Sequence, residues 1–96
     1  MAQRQQAIAT VQVENEFVKV TEWRFAPGTE TGYHKHGMNY AVVPMTDGDL
    51  LLETPEGEKH RILVAGQSYP GLRGNEHNVA NASGHEVVFI EIEVKD

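Results

Sequence analysis

The run "EVVFIEIEV", from Glu86 to Val94, does most to narrow what this chain can become. Val88, Ile90, Ile92 and Val94 recur at every second position, with Glu91 and Glu93 between them. Alternate side chains of a strand lie on opposite faces, so this period of two predicts a strand half buried against a core. Its valines and isoleucines are expected inward, and its glutamates in solvent. No window of helical length shows the competing period of about 3.6 residues.

The rest of the chain is a series of short β-prone runs, each closed by a turn. In "FVKVTEWRF", Val18 and Val20 share one face while Trp23 and Phe25 share the other, which predicts a bulge or a change of face between them. "YAVVPM", "LLLET" and "HRILVA" follow, separated by "TDGD" and "PEGE"; Asp47-Gly48 and Glu56-Gly57 read as hairpin turns. Many short strands, glycine-rich turns and no helix predict an all-β sandwich or small barrel.

A length of 96 residues fits one domain, 1–96, with a small core that any site must share. With 14 Asp and Glu against 8 Lys and Arg, the net charge is −6, and no basic stripe offsets it, so nucleic acid is excluded as a partner. The absence of cysteine excludes disulfides, thiolate metal sites and thiol nucleophiles. "MAQRQQAIATV" lacks the apolar run of a signal peptide, and no stretch is apolar enough to cross a membrane, so a soluble, cytoplasmic protein is expected.

The segment "GYHKHGMNY" holds His34 and His36, two of the five histidines in the chain. Residues two apart on a strand face the same way, roughly 6.6 Å from one another. Their imidazoles can lean onto one ion with Nε2 at about 2.0–2.1 Å. Two ligands make a weak site, and "GNEHNVAN" offers His77 as a third. The same pair on a surface strand needs no ion, and the spacing alone leaves both readings open.

The flanking residues add to the histidines. Gly28, His34 and His36 give G-x5-H-x-H, Gly48 closes the next turn, and Gly66, Gly74, His77 and Asn81 give G-x7-G-x2-H-x3-N. This resembles the two signature segments of the cupin superfamily, G-x5-H-x-H-x3,4-E-x6-G and G-x5-P-x-G-x2-H-x3-N. The resemblance implies a cupin-type jelly-roll β-barrel or sandwich, with His34, His36 and His77 pointing into its mouth as metal ligands. The segment "HGMNYAVVPMTDGDLLLETPEGE" is also similar to small bacterial cupins associated with β-alanine degradation.

Two departures from the pattern matter. Leu72 stands where the second segment has proline, with Pro70 two residues earlier as a substitute stiffener. Tyr40 and Ala41 occupy the positions of the glutamate in the first segment. Tyr40 is therefore expected either to donate a hydrogen bond to a metal-bound water or ligand, or simply to pack in the barrel. Asn39 has the opposite parity and should point away.

Three imidazoles without a protein carboxylate make an open site that suits Fe, Ni, Zn or Cu and, less well, Mn. His60 and His85 are expected at the surface, Arg73 and Glu76 at the rim or surface, and Glu30, Glu91 and Glu93 in solvent. Met38 and Met45 either line the cup or fill gaps in the core.

Two functions compete. One is a small metalloenzyme of dioxygenase or isomerase type acting on a small chelating metabolite such as a keto acid, enol or diketone. The other is a non-catalytic metal- or metabolite-binding module in a catabolic pathway; a metal-free barrel is a third possibility. Resemblance to small cupins further implies a homodimer, for which "QQAIATVQVEN", with Ile8, Val11 and Val13, would supply an exchanged or edge strand.

Overall fold

A computed structural model describes residues 4–96; the first three residues of the expected 1–96 domain lie outside the described residues. The described chain contains strands and no helix. In order they are β1 (Ile8–Glu14), β2 (Val18–Phe25), β3 (His34–Lys35), β4 (Asn39–Pro44), β5 (Gly48–Thr54), β6 (Gly57–Leu63), β7 (Tyr69–Gly71), β8 (Glu76–Asn81) and β9 (Val87–Val94). They form a five-stranded sheet, β1-β2-β9-β4-β7, and a four-stranded sheet, β3-β8-β5-β6. Every strand pairing is antiparallel.

The core forms where the inner faces of the two sheets meet. Phe25, Val42, Val87 and Phe89 come from the larger sheet, and Leu50, Leu63 and Val79 from the smaller. The Phe25 and Phe89 rings pack with centroids 5.4 Å apart. The all-β jelly-roll expectation holds.

Of the two expected hairpins, one forms. Glu56-Gly57 turns β5 into β6, with Thr54 opposite Gly57. Asp47-Gly48 instead carries the chain from β4 in one sheet to β5 in the other. A turn between two apolar runs serves an inter-sheet corner as well as a hairpin. At this corner Asp47 Oδ1 accepts from the Ala65 N–H at 2.9 Å, and a Cβ on Gly48 would lie 2.6 Å from Val87 Cγ2.

Strand β2 corrects a second expectation. It runs in unbroken register along β9, and the irregularity lies in β1, between Val11 and Val13. No change of face is needed, because β2 carries apolar residues on both faces: Trp23 and Phe25 inward, Val18 and Val20 outward.

The third correction reverses the faces of β9. Directly opposite residues project from the same side of a sheet. Tyr40 opposes Glu93 and Val42 opposes Glu91, and both Tyr40 and Val42 are buried. Glu91 and Glu93 therefore face the interior, while Val88, Ile90, Ile92 and Val94 line the outer side. The period of two was read correctly, but the side assigned to the core was wrong, since an apolar face can also sit on the back of a sheet.

Candidate metal centre

Strand pairing and one loop bring the three histidines together. His34 opposes His77 in the short β3–β8 ladder, so both rings project inward. His36 lies two residues beyond His34 and is held by its backbone: its N–H donates to Asn75 O at 2.8 Å, and its carbonyl accepts from the Gly74 N–H at 2.8 Å. The Asn75 N–H closes a turn on Leu72 O at 3.1 Å, with Gly74 at φ +93° in the third position. That left-handed backbone suits glycine in a type II turn, and Leu72 fills the turn without the proline of the family pattern.

The imidazoles converge through Nε2. His36 Nε2 lies 3.1 Å from His34 Nε2 and 3.1 Å from His77 Nε2. His34 Nδ1 lies 2.8 Å from Gly32 O; a carbonyl only accepts, so Nδ1 carries the proton and Nε2 presents its lone pair. Burial, reinforced by the neighbouring His34, pulls His36 and His77 down to about 4, leaving both neutral at pH 7. Neutral imidazoles this close are joined by N–H···N hydrogen bonds or gather on a cation, and the three together could hold one.

The spacing fits one. With metal–nitrogen bonds of about 2.1 Å, ligand atoms lie about 3.0 Å apart at right angles and about 3.4 Å apart at tetrahedral angles. The two 3.1 Å contacts lie in the range that nitrogens bound to one ion would show.

Tyr40 supports the group from behind. Its ring stacks on His36 with centroids 4.0 Å apart and planes 22° from parallel. Burial raises its phenol above the usual range, so it stays protonated, and Asn75 Nδ2 donates to its Oη at 3.5 Å. Asn39 is exposed and accepts the Arg73 N–H at 2.8 Å, pointing away from the site as its parity requires.

Two carboxylates absent from the expected site are present in it. One oxygen each from Glu91 and Glu93 and one nitrogen of His36 lie mutually within 4.8 Å. Burial, then the adjacent Glu93, raises the Glu91 carboxyl to about 7, while Trp23 and Lys19 pull it back. The expectation that these glutamates sit in solvent is overturned. The missing glutamate at Tyr40 was the available sign to look for an acid on another strand.

The remaining assignments are plainer. His60 is exposed with Nδ1 2.6 Å from Asp49 Oδ1, and His85 is exposed with Nε2 3.0 Å from Asp47 O. Arg73 pairs with Asp96 at the surface. Glu76 opposes Lys35 on the outer side of the smaller sheet, away from the histidines. Glu30 is not free in solvent: it accepts from Arg4 at 3.0 Å and from Asn78 Nδ2 at 2.8 Å. Beside His77 and Tyr40 lies a cavity of about 270 Å³ walled largely by Val42, Leu50, Leu52, Val79 and Phe89. Neither methionine lines it, and Met45 is exposed.

No family model matches the chain. The chain is 66% identical to the Beta-alanine degradation protein BauB of Pseudomonas aeruginosa over 95 residues, covering 99% of this chain and 100% of that protein. It is 59% identical to a crystallised cupin domain from Bordetella pertussis Tohama I, with full coverage of both chains and a TM-score of 0.97. A cupin superfamily protein from Desulfitobacterium hafniense DCB-2 shares the fold at 14% identity, with a TM-score of 0.74 over 100% of this chain and 84% of that one.

Proposed function

The chain belongs to the cupin family, and on that premise we propose that it binds a divalent transition metal through His34, His36 and His77 and acts on a small chelating metabolite. The observation that carries this reading is the convergence of the His34 and His77 Nε2 atoms on His36 Nε2, each at 3.1 Å, with His77 lining a cavity. Iron, nickel, zinc, copper or manganese would supply Lewis-acid chemistry there, polarising an oxygen of the bound molecule. The printed name of the relative from Pseudomonas supports a place in β-alanine degradation.

The chain's own residues have distinct tasks. The three imidazoles would hold the ion, and the absence of a fourth protein ligand in that group would leave room for a bound molecule. Tyr40 keeps its proton and fixes the plane of His36. Glu91 and Glu93 stand beside His36 as proton acceptors for a dioxygenase- or isomerase-type reaction. Val42, Leu50, Leu52, Val79 and Phe89 give the cavity an apolar side against which the carbon skeleton of a bound molecule can pack.

One observation favours the alternative, a non-catalytic metal- or metabolite-binding module. Among the described residues, no hydrogen bond joins Glu91 or Glu93 to a histidine, so no proton path is assembled. We place the chain in the cytoplasm as one domain, 1–96; among the described residues no helix is long and apolar enough to cross a membrane.

The test is metal content. Untagged protein and its His77→Ala variant would be compared by inductively coupled plasma mass spectrometry after reconstitution. Near-stoichiometric metal in the wild type and its loss in the variant support the centre. Absence of metal from both sinks it and leaves a metal-free barrel.

We further assign the outer face of the larger sheet to a second copy of the chain. Val18, Val20, Ile90, Ile92 and Val94 form its centre, and β1 is exposed along its whole length at the edge. At one end Arg24 pairs with Glu22 and Glu86. An apolar centre can meet its own copy, with burial of that surface favouring association against the net charge of −6. Light scattering should give twice the chain mass, and Ile92→Glu should give monomer. A monomeric wild type contradicts the assignment.

A further inference from the structure

The cavity beside the histidines carries a cation that the metal centre does not use. Leu50 opposes Arg61 and Leu52 opposes Lys59 across the β5–β6 ladder, and Leu50 is fully buried in the core. Arg61 and Lys59 therefore project from the inner side of the smaller sheet, and both line the cavity. Placing a guanidinium on the cavity side of a sheet is unfavourable unless something there is recognised by it.

The setting of Arg61 sharpens this. Its Cζ lies 3.6 Å from the centre of the Tyr69 ring, which holds the guanidinium over that ring at the cavity wall. Among the described residues Arg4, Arg24, Arg73 and Lys95 each have a carboxylate within 4.0 Å, whereas Arg61 and Lys59 have none. Lack of a partner alone decides nothing, since Lys35 also has none. Arg61 differs in being half-buried, held over an aromatic ring and lining the cavity. In a chain of 14 carboxylates and net charge −6, Arg61 has no carboxylate within 4.0 Å among the described residues, although Glu91 lines the same cavity.

We propose that the molecule taken into the cup is a small carboxylate, gripped by Arg61 with Lys59 at the mouth while its other oxygen faces the histidines. The planar guanidinium matches a carboxylate through two parallel hydrogen bonds. A cavity of about 270 Å³ admits only a metabolite of a few carbons. A carboxylate bearing a second oxygen also suits the room left at the histidine group. That last point rests on the metal-centre reading, whereas the assignment of Arg61 does not.

Calorimetry separates the two. Acetate, pyruvate and malonate would be titrated at pH 7.5 into protein of measured metal content, with and without metal. Acetamide, pyruvamide and inorganic phosphate are the controls, and Arg61→Gln and Arg61→Lys the variants. At least one carboxylate should bind the wild type roughly tenfold or more tightly than its amide. Arg61→Gln should lose that preference with metal content unchanged, and Arg61→Lys should keep part of it. Binding of no carboxylate, equal binding of amide or phosphate, or full affinity in Arg61→Gln overturns the proposal. A wild type that takes up no metal yet shows Arg61-dependent carboxylate binding would sink the metal-centre reading and leave the anchor standing.

Discussion

Replacing Gly71 with alanine reaches the histidine group without touching a histidine. Gly71 opposes Tyr40 in the β4–β7 ladder, and the tyrosine ring lies directly over its backbone. A Cβ built at Gly71 would fall inside the van der Waals envelope of Tyr40 Cζ, Cε1 and Cε2. The ring cannot simply yield, because its other face stacks on His36 at 4.0 Å and the residue is only 8% exposed.

Two responses bracket the cost. If the ring stays, overpacking costs about 1–3 kcal/mol, at the upper end for a side chain clamped on both faces. If it swings out, the lost burial of a tyrosine costs up to about 4 kcal/mol. About 3 kcal/mol is expected, which lowers the melting temperature of a domain this size by roughly 12–20 °C. Displacing the ring also tilts His36, and metal affinity should fall roughly tenfold.

The assay is thermal unfolding of metal-free protein by circular dichroism, run as a double-mutant cycle with Tyr40→Leu. Leucine removes the clash, so the two costs should fall short of their sum by about 1–2 kcal/mol. Additive costs, or a Gly71→Ala protein melting within about 3 °C of wild type, would refute the argument.

Three more predictions follow from buried polar groups. The folded state holds the Glu91 proton up to about pH 7, while the unfolded chain releases it near 4.5, so wild-type stability falls as pH rises between these values and levels off above. In metal-free protein Glu91→Gln should match wild type near pH 4 and exceed it at pH 8 by about 2–3 kcal/mol, or ~10 °C; a constant difference across that range contradicts the buried carboxyl. His36 and His77, lowered from 6.5 to about 4, have the opposite sign: the unfolded chain takes up protons first, so stability is lost as pH falls through that interval. His77→Ala should flatten this acid slope in melting curves, and an unchanged slope would contradict it. Asn81 is 3% exposed, donates to Phe25 O at 3.1 Å and His85 O at 2.9 Å, and accepts from the Ser83 N–H at 2.8 Å. Asn81→Ala should cost about 2–4 kcal/mol by denaturant titration, and a loss under about 1 kcal/mol would show that water replaces those bonds.

Much of the fold was legible because its signals are local. The period of two in Val88–Val94, the Glu56-Gly57 turn and the absence of a helical period each act over a few residues, and each matches the observed strands. The histidine spacing was legible for the same reason: His34 and His36 share a face by strand geometry alone. That His77 joins them depends on a ladder between segments more than forty positions apart, and the cupin resemblance supplied that connection.

What the chain could not show by itself is which side of each strand meets the core. An alternating strand has two faces, and the apolar one of β9 lies on the back of the sheet while Glu91 and Glu93 face the histidines. The same ambiguity hid Arg61, whose inward direction follows only from its place opposite Leu50. It also made a sheet-to-sheet corner at Asp47-Gly48 look like a hairpin. Sequence alone determined β2, β4, β5, β6 and β9, the period of β9 and the pair of histidines on one face, because these follow from backbone geometry. Only the tertiary structure decided which faces look inward, because facing is set by the ladder partner across the sheet and not by neighbours along the chain.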